Sequence, residues 1–387
     1  TSEDYAKEVR LFSLQETLLS RWQSLFDQTF AKMQQIRYEG ALAVMLWALG
    51  GGLGVALPYV FVVLGVLGGR FTLGDLALYT GIILQLRRSL YILIGNTGDI
   101  YDVSLATAPI FQLLDLEPQL HTGSQRILPL LADDPRQGIW VHDVSFTYPG
   151  AERPTLQQVS LSVRPGEMVA LVGENGAGKT TLAKLLCRLY DPTKGQIFWH
   201  GRDLQSLSLG ELRAHIAVVM QDYARFPATL RENVGWGYLP KVSETTMITR
   251  SLQEAGLEKI LTELDQGLET PLGKQLEDGT DLSGGQWQRV AIARALMRLG
   301  TADLLVFDEP TAALDPKNEQ EIYDIFRSIA EGRMAVVVSH RLALAKLCDR
   351  IVVLEHGQII EQGSHDELMA LGGQYHLMFT RQASSYV

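Results

Sequence analysis

The stretch Leu171-Val172-Gly173-Glu174-Asn175-Gly176-Ala177-Gly178-Lys179-Thr180-Thr181 carries the spacing G-x-x-x-x-G-K-T. An apolar run, 168–172, precedes it, and an amphipathic run (Leu182, Leu185, Leu186, Leu189) follows. Strand, glycine-rich loop and helix in that order make a phosphate cradle. Gly173, Gly176 and Gly178 allow turns closed to other residues, so several N–H groups point at one anion. The helix adds its unpaired N-terminal donors and the positive end of its dipole. Lys179 supplies a point charge for β- and γ-phosphates, and the Thr180 hydroxyl suits Mg²⁺. A flexible turn before an ordinary helix is the competing reading, and this spacing with these flanks disfavours it. The loop says nucleoside triphosphate; it does not say what the energy drives.

Further along, 302–309 is an apolar strand closed by Asp308 and Glu309. A strand buried on both faces and ended by acids fits the second half of such a site. Asp308 would hold Mg²⁺ through water. Glu309, on the opposite side of the strand end, could polarise the attacking water. Met334–Val338 is a similar strand closed by Ser339 and His340, a possible γ-phosphate or water ligand, although a lone strand-end His is more often structural. Between these, Leu282-Ser283-Gly284-Gly285-Gln286 opens an amphipathic helix, with Ser283 at the N-cap and Gln286 at the capping-box position. Two glycines in a first turn weaken a helix, which suggests that another group approaches the backbone there. It is a second helix N-terminus shaped for an anion. Tyr148 ends the 139–148 strand upstream of the loop, where an aromatic could stack on a purine or simply pack.

The elements that must position these groups alternate. Strand patterns at 139–148, 159–163, 168–172, 195–200 and 216–220, the last running into Gln221, are followed by a mainly helical stretch from about 229 to 264. With 387 residues there is room for two or three domains, and the net charge of −10 argues against nucleic acid as the main partner. Cys187 and Cys348 lie inside apolar patterns and read as small buried hydrophobes of a reducing compartment. The mean hydropathy is slightly positive, +0.05. The excess sits in the first hundred or so residues. There, 5–37 has helical spacing with charges interspersed, an amphipathic segment outside the bilayer. Residues 41–69 contain no charge at all, more than the roughly 20 residues a bilayer crossing needs. After a polar turn, 76–86 and 89–95 flank Arg87-Arg88. Intramembrane charges usually face a cavity or a partner, but neighbours on a helix diverge by about 100°, so both cannot easily line one pore. Residues 121–138, with Pro129, Pro135 and Gly123, read as a linker.

Together these motifs resemble the ATP-binding cassette (ABC) family. The signature 282–286 stands about a hundred residues after the P-loop and just before the acidic strand, a highly specific combination. The resemblance implies an α/β P-loop ATPase domain, with a mixed parallel core sheet, an antiparallel β subdomain and a helical subdomain. An all-α membrane part with two transmembrane helices precedes it. Residues 1–120 are similar to the end of an exporter-type transmembrane domain, with a coupling region at 5–37 and spans at about 41–66 and 74–96. Residues 121–138 become the linker and 139–387 the nucleotide-binding domain. Family members have six helices, and the first four find no counterpart here, so the sequence is expected to be part of a longer chain.

By the same resemblance Tyr148 stacks on adenine, and 173–181 and Gln221 bind nucleotide. Thr180, Gln221 and Asp308 serve Mg²⁺, Glu309 is the catalytic base, and His340 is the switch histidine. Asp315 lies on the dimer-crossing loop. The cofactors implied are ATP and Mg²⁺. The partners are a second half-transporter, identical or related, membrane lipid, and a transported substrate that the sequence does not identify; nucleic acid is not among them. The location implied is the cell membrane, multi-pass, with the ATPase domain in the cytoplasm. Rival readings are an ABC ATPase without transport (repair, translation or regulatory), an importer-type ATPase, and a non-catalytic scaffold. The uncharged 41–69 run speaks against the first, and intact Glu309 and His340 speak against the last.

Overall fold

The computed structural model describes residues 9–118, 120–127, 136–276, 278–309 and 316–384. The chain divides into two compact units, Thr1–Glu117 and Pro118–Val387. The first consists of helices α1 (Gln15–Leu67) and α2 (Leu73–Leu114), joined by a tight turn. Thr72 caps α2 in a reciprocal box with Asp75, whose backbone N–H it accepts at 3.2 Å and whose carboxylate takes the Thr72 N–H at 2.8 Å. Sequence spacing separated a soluble helical segment from a span; the structure joins them in one helix, because nothing between 15 and 67 interrupts the hydrogen-bond ladder except Pro58, which a long helix accommodates. Neither helix has a buried residue. Among the described residues these two helices are long and apolar enough to cross a membrane. A soluble core helix passes the same test but is covered by its own protein, whereas Trp47, Phe61, Leu67 and Tyr91 here are more than half exposed.

In the second unit, β1 (Ile139–Phe146), β2 (Leu156–Val163), β4 (Lys194–Trp199) and β5 (Arg202–Asp203) form an antiparallel sheet in the order β2-β1-β4-β5. The main sheet has β3 (Met168–Val172), β6 (Ile216–Val219), β9 (Leu304–Asp308), β10 (Met334–Val338), β11 (Arg350–Glu355) and β12 (Gln358–Gly363) in the order β12-β11-β3-β10-β9-β6. All its neighbours are parallel except the β11–β12 hairpin. A short β7–β8 pair (Ala228–Thr229, Pro271–Leu272) ties the helical region together.

The central strands are uniformly apolar because both faces are covered. Val169 and Leu171 of β3 face the core shared with the antiparallel sheet, while Ala170 and Val172 face a second core built on the helical side. The same alternation divides Val306 from Phe307 in β9 and Val336 from Val337 in β10. The region after 340, to which sequence patterns assigned no element, supplies β11, β12 and the helices His365–Leu371 and Gln374–Ser384. Its β11 lies directly against β3.

Replacing Leu171, fully buried in the central strand, by Ala is expected to cost about 2–5 kcal/mol of unfolding free energy in the second unit. Denaturant unfolding of the full chain, followed in that unit, measures it.

Candidate active site

Parallel pairing brings the carboxyl ends of β3, β10 and β9 side by side, with Val338 opposite both Leu171 and Asp308. Whatever follows these strands therefore converges on one crevice. The loop 173–178 follows β3, Ser339-His340 follows β10, and Glu309 follows β9. Gln221 follows β6, whose Val219 pairs with Phe307. The resulting cleft of about 580 Å³ is lined by Thr155, Asn175, Gly176, Ala177, Gly178, Lys179, Thr180, Thr181, Gln221, Glu309 and His340.

Gly178 is the N-cap of the P-loop helix, α3 (Lys179–Leu186), with φ of 101°. A Cβ there would stand 2.6 Å from the Leu156 side chain, so conformation and space both demand glycine. The Lys179 side chain is buried and donates to the carbonyls of Gly173 (2.8 Å) and Glu174 (2.9 Å). Those bonds curl the loop around the ammonium. Burial lowers the Lys179 pKa, against the opposing pull of the Glu309 and Asp308 charges.

Thr180 Oγ1 donates to Asp308 Oδ1 at 3.0 Å, joining the first turn of the helix to the end of β9. Asp308 is fully buried, and its Oδ2 has no hydrogen-bond partner among the described residues. Burial pushes its carboxyl up to about 6, and the Glu309 charge adds to that, while the Thr180 bond opposes it. A buried carboxylate oxygen without a donor, beside a hydroxyl, is the donor set a hard divalent cation takes.

Glu309 has a left-handed backbone, φ 49°, a conformation that costs a non-glycine residue on the order of 1 kcal/mol. Its N–H donates to Val338 O (3.0 Å), which holds that turn against the neighbouring strand. Its carboxylate accepts from Gln221 Nε2 at 2.8 Å and lies 3.4 Å from His340 Nδ1. The Glu309 side chain is only 13% exposed, against 45% for His340. Gln221 thus faces Glu309 and not the Thr180–Asp308 pair. Tyr148 packs edge-on against Phe146 and Tyr190, and its hydroxyl is 3.2 Å from Thr181 Oγ1. It stands beside the cradle and outside the lining of the cleft.

The segment 282–286 lies elsewhere. Ser283 caps α4 (Gly284–Leu296), accepting from the Gln286 N–H at 3.3 Å, while Gln286 Oε1 takes the Ser283 N–H at 2.8 Å. The capping box read from sequence is therefore present. Leu282 is buried, Ser283 and Gly284 are exposed, and none of these residues lines the cleft. Asp315 lies outside the described residues.

Residues 156–312 match the ABC transporter family model. The subtilin transport ATP-binding protein SpaT of Bacillus subtilis is 30% identical over 94% of this chain and 58% of its own length. An ATP-dependent lipid A-core flippase of Methylobacillus flagellatus is 35% identical over 89% of this chain and 56% of its own. A solved bacterial Atm1-family ABC exporter with ATP bound superposes with a TM-score of 0.82 at 32% identity, over 98% of this chain and 64% of that one. Residues 156–312 of this chain are a domain of the ABC transporter family. The chain spans less than two thirds of the length of these relatives.

Two ABC-domain residues escaped sequence reasoning. Thr155 lines the cleft from the residue before β2, and its carbonyl lies against Gly178 and Gly357. It carries no motif, and only the pairing of β1 with β2 brings it there. Arg294, on α4, donates to Ala224 O (3.1 Å) and Asn233 O (2.7 Å) and lies 4.8 Å from the Phe226 ring centroid. It therefore ties the segment after Gln221 to the helix that the signature opens. Burial pulls its guanidinium down to about 10. Cys187 and Cys348 are buried, and burial pushes both thiols up to about 12, so neither is a nucleophile.

Because the Asp308 pKa is raised on folding, the native state holds more protons than the unfolded state between about pH 4 and 6, so stability falls as pH rises through that window. Without nucleotide or metal, Asp308→Asn is expected to be more stable than the wild type at pH 8, and the difference should shrink on acidification through pH 6 toward 4. Thermal unfolding across that range measures it.

Proposed function

We propose that this chain binds and hydrolyses ATP with Mg²⁺ and, as half of an exporter, couples hydrolysis to transport across a membrane. The observation that carries the reading is the meeting in one cleft of cradle residues 175–181 with Glu309, held between Gln221 and His340, while the buried Asp308 with its orphan oxygen is bonded to Thr180 of that lining. Thr180 and Asp308 would hold Mg²⁺, while Gln221 is bonded to Glu309 instead. Bound there, the cation neutralises phosphate charge. Lys179 and the backbone N–H groups of 174–181 orient the triphosphate. Glu309 accepts a proton from the attacking water as its oxygen bonds the γ-phosphorus, and ADP leaves. Gln221 holds the Glu309 carboxylate in place, and His340 reaches the γ-phosphate side of the cleft. Tyr148, anchored to Thr181, offers its ring to the adenine.

The signature 282–286 cannot serve its own chain's cleft, which supports a nucleotide sandwich with a second half-transporter, identical or related. Each ATP would lie between one cradle and the partner's exposed helix N-terminus, with Asp315 at the crossing. Closure then depends on bound negative charge, and hydrolysis removes that bridge. The uncovered apolar surface of α1 and α2 favours the membrane reading over an ATPase without transport, and the names of the relatives, a transport ATP-binding protein, a flippase and an exporter, agree. The cradle would then sit on the cytoplasmic side. Those names cover lipid A-core and subtilin transport, so no single substrate follows for this chain.

Glu309→Gln should retain ATP affinity, lose about 100-fold or more of phosphate release, and accumulate an ATP-dependent dimer visible by light scattering. Wild-type turnover in this variant would remove Glu309 as the base. Lys179→Ala should weaken equilibrium binding of MgATP by about tenfold or more, and unchanged affinity would count against the cradle.

A further inference from the structure

The P-loop helix has a second end, and it grips the segment that leads to the membrane helices. Just past its C-cap, Arg188 takes a left-handed turn (φ 47°) and buries its side chain to 1% exposure. Nη2 donates to His121 O (2.7 Å) and Gln205 O (3.1 Å), Nη1 to Leu207 O (3.0 Å), and Nε to Asp191 Oδ1 (3.1 Å). One planar guanidinium thus joins the helix end, the 205–207 turn and residue 121.

Residues 121–127 are laid on the ATPase unit as a strap. Gly123 N–H donates to Leu207 O and Gln125 N–H to Ser206 O, both at 3.1 Å, while Ser208 N–H returns a bond to Gln125 O (2.8 Å). Gln125 and Leu207 form a parallel bridge, and Ile127 N–H ends the run on Glu211 Oε2 (3.1 Å). The approach at Gly123 is so close that a Cβ would stand 2.0 Å from Ser206 O. Upstream, 115–120 is all that separates the strap from the end of α2 at Leu114.

We propose that Arg188 is a positioning residue that clamps the strap 121–127 to the P-loop helix, so that phosphate binding at one end of that helix is transmitted along the chain to α2. The proposal rests on the reading of 173–181 as the phosphate cradle. Its physical basis is stiffness: α3 is two turns long and packed through Leu182, Leu185 and Leu186 into a dry core, so its two ends move together. Donors buried on backbone carbonyls have no water to exchange with, so the clamp does not slip without leaving polar groups unpaired. This route belongs to each chain alone and needs no partner subunit.

The test is hydrogen exchange on the full chain in lipid nanodiscs, with and without Mg²⁺ and a non-hydrolysable ATP analogue, alongside equilibrium binding of that analogue. In the wild type the analogue should slow exchange in 120–127 and in the last turns of α2, 105–114. Gly123→Ala should raise exchange of the strap by about tenfold and abolish the nucleotide effect at 105–114, with analogue affinity within about threefold of wild type. Arg188→Lys, which keeps the charge but lacks the fork, should do the same. Gly210→Ala, whose added Cβ meets open space on the neighbouring helix, is the control and should leave every reading unchanged. Survival of the nucleotide effect at 105–114 in Gly123→Ala or Arg188→Lys would overturn the proposal, as would a strap whose exchange neither substitution alters. Failure of the wild type to bind the analogue would overturn the cradle reading itself, and the binding measurement identifies that case independently.

Discussion

The hydrogen bond from Thr180 to Asp308 closes the candidate site, because it joins two strands that are not neighbours. Between β3 and β9 lies β10, and only parallel pairing of all three in register sets the helix after β3 opposite the acid that ends β9. Burying Asp308 is costly, as its raised pKa shows, and one of its oxygens has no donor among the described residues. A purely structural acid would have been cheaper as Asn or Leu. The fold tolerates it because two apolar layers hold the strand from both sides, and a divalent cation would turn the cost into affinity.

Around that bond the geometry separates duties. Lys179 and the loop amides address phosphate, Thr180 and Asp308 address metal, and Glu309 with Gln221 and His340 faces the cleft where water would attack. Asp308 and Glu309 are adjacent in sequence yet differ in environment, one fully buried and the other turned out by a left-handed backbone. That turn is held by a bond to Val338, so the strand carrying His340 also orients Glu309. The signature helix stands apart from this constellation and is tied through Arg294 to the segment after Gln221.

The N-terminal helical unit, with its two candidate spans, obeys a different rule. Its helices bury nothing of their own, so their stability comes from backbone hydrogen bonds and from whatever apolar medium covers them. The ATPase unit is the reverse, with dry cores on both faces of its sheet. Covalently, the two meet through 115–120 and the strap, where composition reads as linker but backbone bonds to 206–208 order the chain. Proline and glycine content could not reveal this, since the partners lie some eighty residues away and Gly123 is chosen for close approach, not for freedom.

Local chemistry was legible in the order of residues. The cradle, the acidic strand, the capped signature helix and the uncharged run each depend on neighbours within a turn or a strand, where propensity, spacing and hydropathy act directly. Other features depend on contacts between distant segments. Such contacts set the position of Thr155, the turn of Gln221 toward Glu309, and the packing of Tyr148 on Tyr190 instead of leaving it open at a strand end. They also carry 121–127 onto Arg188. Each is settled by strand order and register, which bring together side chains that no short window contains.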